Sequence, residues 1–330
     1  MATLLVLEPG LCTSVQDLGR PGLAALGVAR AGAADTLSLR VANRLVGNPD
    51  GAAALELTLT GGRYRIEQGA RVALAGAPME ARLHVQGAAP RLLEPLAAHD
   101  LPHGSELEVG PARVGARACL SVAGGIRAPA VLGSRSAHLP SGLGGHALAA
   151  GARLELSAPP GGRPGPALAA PAQAELLAWL LAPHVHATDG AHAALFEPAA
   201  RERFWAGAWR VGSQGNRMGV RMRGPDVAPP GDGRLPTEGM PVGAVQVPRA
   251  GEAIVLLCDA PPTGGYPMLA CLAAVDLPRA AQWRPGEQVR LVRITPQQAR
   301  AASEARAARL DALLAPVAGA DAGARAGAAP

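Results

Sequence analysis

A chain of 330 residues with 48% hydrophobic and 17% charged residues is long enough for two domains with buried cores, and is not composed like a disordered or fibrous protein. All 31 of its basic residues are arginine, which excludes a P-loop nucleotide site, Schiff-base chemistry and covalently attached biotin or lipoyl groups, since each needs a lysine amine. The net charge of +5 raises nucleic acid as a partner, but the arginines are scattered among acids and aromatics make up only 2%, too few rings for bases to stack on.

The first ten residues, MATLLVLEPG, lack the basic segment and the longer apolar run of a signal peptide. No apolar stretch reaches membrane-spanning length, so a cytoplasmic location and no membrane partner are expected. TLLVLE reads as a first strand, followed by the Gly-rich GLCTSVQDLGRPG. Residues 36–46 give the clearest helix: Asp35 can cap it, Leu37, Val41 and Leu45 form a stripe, and Gly47-Asn48-Pro49 stops it. ALELTLT alternates, with Leu55, Leu57 and Leu59 on one face and Glu56, Thr58 and Thr60 on the other. Short strands continue through RYRIE, RVALAG, ELEVG, RACLSVAGG and RLELS, so residues 1–157 read as a β-rich domain with one helix.

Residues 158–172, APPGGRPGPALAAPA, are a linker by composition. Residues 173–296 read as a second β-rich domain. Its elements are a strand-like LLAPHVHA, a helical AALFEPAARERFW, the strand AWRVG, the polar loop GPDVAPPGDGRLPTEG and a hairpin of VGAVQVP and AIVLLC. PMLACLAAV reads as a short helix and VRLVRI as a last strand. Residues 297–330 read as an Ala/Arg-rich helix over Gln297–Leu314 followed by a disordered tail. The fold class is mainly β (α+β), in two β-rich domains with few helices; 42 glycines and 31 prolines suit its many turns.

Several polar clusters stand out. Cys12, Cys119, Cys258 and Cys271 form no CxxC pair and no zinc spacing. His184 and His186 share a strand face, with Asp189 and His192 nearby, but no further ligand set converges, so no metal site is expected. In QDLGRPG, Gln16, Asp17 and Arg20 among glycines form either a ligand loop or an Asp–Arg pair closing a turn. In SQGNRMGVR, Asn216 and Arg217 either hold an anion or make a hairpin turn. Glu238 sits at a loop end, and Gln246 in an apolar strand needs a partner if it faces the core. DAPPTGGYP lacks the lysine of a P-loop; Thr263, Gly264 and Gly265 can still form an anion nest, with the amides after Tyr266 opening a helix, or a plain turn.

The succession GLCTSVQDLGRPG, AGAADTLSLRVANRLVGNPDGAAALELTLTGG, SVAGGI, LGSRSAHL, GSQGNRMGVRMRGP, EGMPVGAVQVP and DAPPTGGYP resembles the biotin-dependent carboxyltransferase family, from about Leu4 to Ile294. That family includes the second subunit of allophanate hydrolase, the C-type subunit of the ATP-dependent 5-oxoprolinase and part of urea carboxylase. The resemblance implies cyclophilin-like barrel domains. It implies a hydrolase acting on a cyclic amide, 5-oxo-L-proline, with a smaller B-type subunit and an A-type lactam-utilisation subunit as partners. It also implies ATP with Mg2+ in the complex, and no covalent biotin on this chain. The alternatives are biotin-dependent carboxyl transfer and a regulator that binds a kinase-inhibitor partner. On the residues that match the family, Arg217, Glu238 and Asp259 are expected to be catalytic. Gln16, Asp17, Arg20, Asn216, Gln246, Thr263, Gly264, Gly265 and Tyr266 are expected to bind substrate or an anion. Pro262 stands where the family has a first threonine, and His146 where it has an arginine.

Overall fold

The computed structural model describes residues 2–158 and 167–317. Much of the expected linker, and the expected C-terminal tail from residue 318, lie outside the described residues. The chain divides into two compact units, one of Met1–Gly19, Asp35–Ala178 and the residues from Arg309, the other of Arg20–Ala34 and Trp179–Ala308.

The first unit carries strands β1 (Thr3–Glu8), β2 (Cys12–Gln16), β3 (Ala54–Thr58), β4 (Arg63–Ile66), β5 (Ala70–Gly76), β6 (Met79–His84), β7 (Arg91–Leu92), β8 (Ala98–Leu101), β9 (Glu106–Ala112), β10 (Arg117–Val122) and β11 (Arg153–Glu155). They form a six-stranded sheet, β11-β1-β4-β9-β6-β7, and a five-stranded sheet, β2-β3-β10-β5-β8, with antiparallel pairings throughout. Leu4, Tyr64, Ile66 and Leu107 from one sheet and Leu55, Leu57, Val72 and Leu120 from the other share one core, as in a two-layer sandwich. Helix α1 (Thr36–Leu45) covers the opposite face of the second sheet, where Cys119 of β10 lies under the Asp35 carbonyl. The Asp35 side chain accepts from the Ser38 N–H at 2.9 Å, the cap that the sequence calls for. Strand β3 departs from strict alternation, because α1 buries its second face as well. Glu56 is buried opposite Cys119, 3.9 Å from Arg117 Nε, and Leu59 lies past the strand end with φ 58°. Helix α2 (Ala170–Leu180) begins inside a stretch whose composition reads as linker. Pro171 is tolerated there because N–H groups in the first helical turn have no partner within the helix.

The second unit carries β12 (His184–Asp189), α3 (Pro198–Ala206), β13 (Trp209–Gly215), β14 (Gly219–Arg223), β15 (Glu238–Gly239), β16 (Ala244–Gln246), β17 (Ala253–Leu256), β18 (Thr263–Gly264), β19 (Met268–Leu272), α4 (Leu277–Ala280), β20 (Gln288–Arg293) and the start of α5 (Pro296–Leu314). Seven strands close a barrel in the order β12-β19-β16-β17-β14-β13-β20, with β12 and β20 parallel. Its interior holds Val185, Trp209, Val211, Met222, Val245, Val255, Leu269 and Leu291. The fold is thus mainly β with few helices, as expected. Two local expectations fail: PMLACLAAV is strand β19 rather than a helix, and no helix opens after Tyr266. Met268–Leu272 meets apolar surface on both faces, which removes the alternation that marks a half-buried strand.

Candidate functional site

The second unit builds a polar site on the outside of its barrel wall. Along β16 and the residue after it, Val245 and Val247 turn into the barrel, so Ala244 and Gln246 turn outward. The outer face is not left to solvent. The short ribbon β15–β18 covers it, with Glu238 opposite Gly264 and Gly239 opposite Thr263. Met240, Ala244, Leu256, Ala260 and Met268 pack in one small cluster there. Gln246 is therefore buried, and its Nε2 has no hydrogen-bond partner among the described residues. A buried amide donor without an acceptor costs about 1–3 kcal/mol, so it is retained where something else supplies the acceptor.

Glycine lets this amide approach the ribbon. A Cβ on Gly264 would stand 2.7 Å from Gln246 Nε2 and 3.0 Å from Met240 Cγ. A Cβ on Gly265 would stand 3.0 Å from the Leu235 carbonyl oxygen, which lies beside the Leu235 N–H that donates to Gly265 O at 2.8 Å. Neither glycine has a positive φ, so the Thr263-Gly264-Gly265 backbone is extended and does not form the nest that the sequence suggests. Thr263 is exposed on the ribbon, and Tyr266 is exposed beyond it.

Glu238 is fixed by a residue that the sequence offers only as a loosely metal-like histidine. His192 Nε2 lies 3.1 Å from Glu238 Oε1, and His192 Nδ1 accepts the Met268 N–H at 3.1 Å. A register shift between Val245 and Gln246 sets Gln246 opposite Met268, a bulge of the kind that re-aims side chains at sites. Glu238, His192, Gln246 and Gly264 thus converge around the start of β19. Nothing in the local sequence links His192 to Glu238; the contact depends on long-range pairing.

Arg217 and Asp259 come together elsewhere in the same unit. Arg217 Nε and Nη2 grip the two Asp259 oxygens, and Nη2 also donates to Gly32 O at 2.7 Å. Asn216 makes the hairpin turn: its Oδ1 accepts from the N–H groups of Met218 and Gly219. Arg20 is buried, with its backbone N–H donating to Arg30 O at 2.8 Å. Gln16 and Asp17 belong to the first unit. The Gln16 amide donates to Ser14 Oγ and Ala137 O. The Asp17 carboxylate accepts from Gly19 N–H, Arg135 N–H, Ser134 Oγ and Ser136 Oγ, so four donors of its own unit occupy it.

His186 of the cluster is taken up locally. His186 Nδ1 lies 2.7 Å from Asp276, which also binds Arg279 at 3.0 Å. Burial draws the Arg279 guanidinium below its usual range, with Asp276 opposing the shift. Burial pushes the Cys271 thiol up, so it is a poor nucleophile. Among the described residues, no three His, Cys, Asp or Glu side chains gather as a metal-ligand group.

The second unit's closed barrel carries an acid, an imidazole and a buried amide on its outer wall. The chain belongs to the carboxyltransferase domain family, subdomain A and B, which matches residues 26–293. It is 36% identical over 299 residues to the C-type subunit of 5-oxoprolinase from Escherichia coli (strain K12), covering 90% of this chain and 93% of that protein. It is 32% identical to urea amidolyase of Lachancea kluyveri over 93% of this chain, but spans only 18% of that protein. The crystal structure of Kluyveromyces lactis urea carboxylase superposes with TM-score 0.84 and 28% identity, over 94% of this chain and 29% of that one.

Proposed function

We propose that this chain is the C-type subunit of an ATP-dependent 5-oxoprolinase, working with B-type and A-type partners to open 5-oxo-L-proline to L-glutamate. One observation carries the proposal: the match to a 5-oxoprolinase subunit of this type runs nearly end to end in both proteins, whereas urea amidolyase is several times longer than this chain.

A lactam is resistant to water because its amide is resonance-stabilised. In the proposed sequence, ATP phosphorylates the amide oxygen and water attacks the activated carbon; the ring C–N bond breaks as its nitrogen takes up a proton, and a second water hydrolyses the resulting acyl phosphate to L-glutamate and phosphate. Glu238 holds that water and accepts its proton, since it is a partly exposed carboxylate fixed at one oxygen. The Gln246 amide donates to the carbonyl oxygen of the acyl phosphate, on which negative charge develops as water adds, and this supplies its missing acceptor. In this proposal Arg217 and Asp259, each buried and engaged by the other, hold the turn. The chain's own residues do not make a P-loop nucleotide site. It has no lysine, and no metal-ligand group forms among the described residues. ATP and Mg2+ belong to the assembled complex in this proposal, as does a cytoplasmic location.

The test is ATP hydrolysis by the assembled complex with and without 5-oxo-L-proline. Stimulation with glutamate formed in step is the expected outcome. An intact complex that the lactam does not stimulate would overturn the proposal and favour carboxyl transfer from a separate biotin carrier.

A further inference from the structure

His192 is held at both ends by a single residue. Its backbone N–H donates to Met268 O at 3.1 Å, and the Met268 N–H donates back to the ring at Nδ1, also at 3.1 Å. A backbone N–H can donate only to a lone pair, so Nδ1 carries no proton. The proton of the neutral ring is then on Nε2, which lies 3.1 Å from Glu238 Oε1. A doubly protonated ring would set one N–H against another at Met268. The tautomer is thus dictated by the main chain, in the way that a second hydrogen bond fixes a ligating histidine. Met268 is also the residue opposite Gln246 across the bulge. One backbone position therefore governs both polar groups assigned to the reaction.

We infer that His192 is a positioning residue for Glu238: an imidazole whose Nε2 stands beside Oε1 and holds the carboxylate there, so that Oε2 remains for the attacking water. The inference rests on the role proposed above for Glu238. It also explains why a mostly buried imidazole sits beside a half-exposed acid.

Two measurements test it in the assembled complex. The first is the ring tautomer, read from nitrogen chemical shifts of chain labelled with 15N-histidine, with His192 assigned by its loss in His192→Phe. The expected signature at neutral pH is an unprotonated Nδ1 and a protonated Nε2; a protonated Nδ1 would overturn the inference. The second is turnover. His192→Phe, which keeps a ring but removes both nitrogens, is expected to lower kcat by roughly tenfold to a hundredfold with little change in KM, the range seen when an orienting partner is lost. His192→Gln, which keeps a donor near the Nε2 position, is expected to recover much of that loss. In a Glu238→Gln background, His192→Phe is expected to cost nothing further, because the group it acts through is already gone. Independent, multiplying losses would sink the inference, as would wild-type kcat in His192→Phe. A wild-type complex with no lactam-stimulated turnover would instead refute the 5-oxoprolinase proposal, and the tautomer alone would then decide the state of His192.

Discussion

Arg217 and Asp259 meet as a bidentate pair, Nε to Oδ2 and Nη2 to Oδ1, both at 2.9 Å, with 5% and 1% of the two residues exposed. Deleting one partner strands the other charge inside the protein, at a cost of about 3–5 kcal/mol. Arg217→Ala is therefore expected to lower the urea midpoint sharply, and Arg217→Met combined with Asp259→Leu to recover most of the loss. An Arg217→Ala chain as stable as the wild type would show that the pair does not hold this turn.

Gly264→Ala should separate activity from stability. The added methyl group meets Gln246 Nε2 at 2.7 Å, and Nε2 is the far end of a side chain that can swing away. Stability is expected to change by less than about 1 kcal/mol, the usual range for a small steric adjustment, while lactam-stimulated ATP hydrolysis falls roughly tenfold as the donor is displaced. Equal turnover in Gly264→Ala would remove the Gln246 amide from the mechanism.

Asp17→Ala should loosen the first unit. The carboxylate gathers two serine hydroxyls and the backbone N–H groups of Arg135 and Gly19. Each buried donor left without a partner costs about 1–3 kcal/mol, so the variant is expected to unfold at clearly lower urea. Amide exchange at Arg135 and Gly19 reports the effect locally, and unchanged protection there would contradict it.

Tyr64 gives a pH dependence. Burial pushes its phenol up to about 12 from the usual 10.0, with Thr13 opposing the shift. The folded state keeps this proton while the unfolded chain loses it. The contribution is thus complete below about pH 10 and is lost as pH rises through about 12, an effect of roughly 2–3 kcal/mol. Tyr64→Phe is expected to flatten this alkaline fall in urea stability; an unchanged slope would exclude Tyr64 as its source.

The elements legible in sequence are those whose pattern is local. Helix α1 shows its cap at Asp35 and its stripe at Leu37, Val41 and Leu45, and all three of those apolar residues are buried. Strand β19 was not legible, because a strand between a barrel interior and a covered outer face is apolar at every position. At the site, Glu238, Gln246 and Gly264 could be picked out as unusual residue types. Their convergence, and the entry of His192, depend on the bulge opposite Met268 and on the β15–β18 ribbon, which no spacing announces. Asp17 misled for the opposite reason: an acid among glycines resembles a ligand loop, yet its carboxylate is filled by Ser134, Arg135 and Ser136, more than a hundred residues away.

The hydrogen bond from Arg217 to Gly32 O joins residues 185 positions apart, and residues 20–34 belong to the barrel's unit although most of the other unit follows them in the chain. On the ribosome, at roughly 5–20 residues per second, that early segment waits on the order of 10–40 s for its partner strand hairpin to emerge. Throughout that interval its apolar side chains, Ala31 and Ala33 among them, lack the burial they reach in the finished protein. The barrel is therefore a late product of translation, and a gene fragment encoding only residues 179–308 would make it without a strap that it needs.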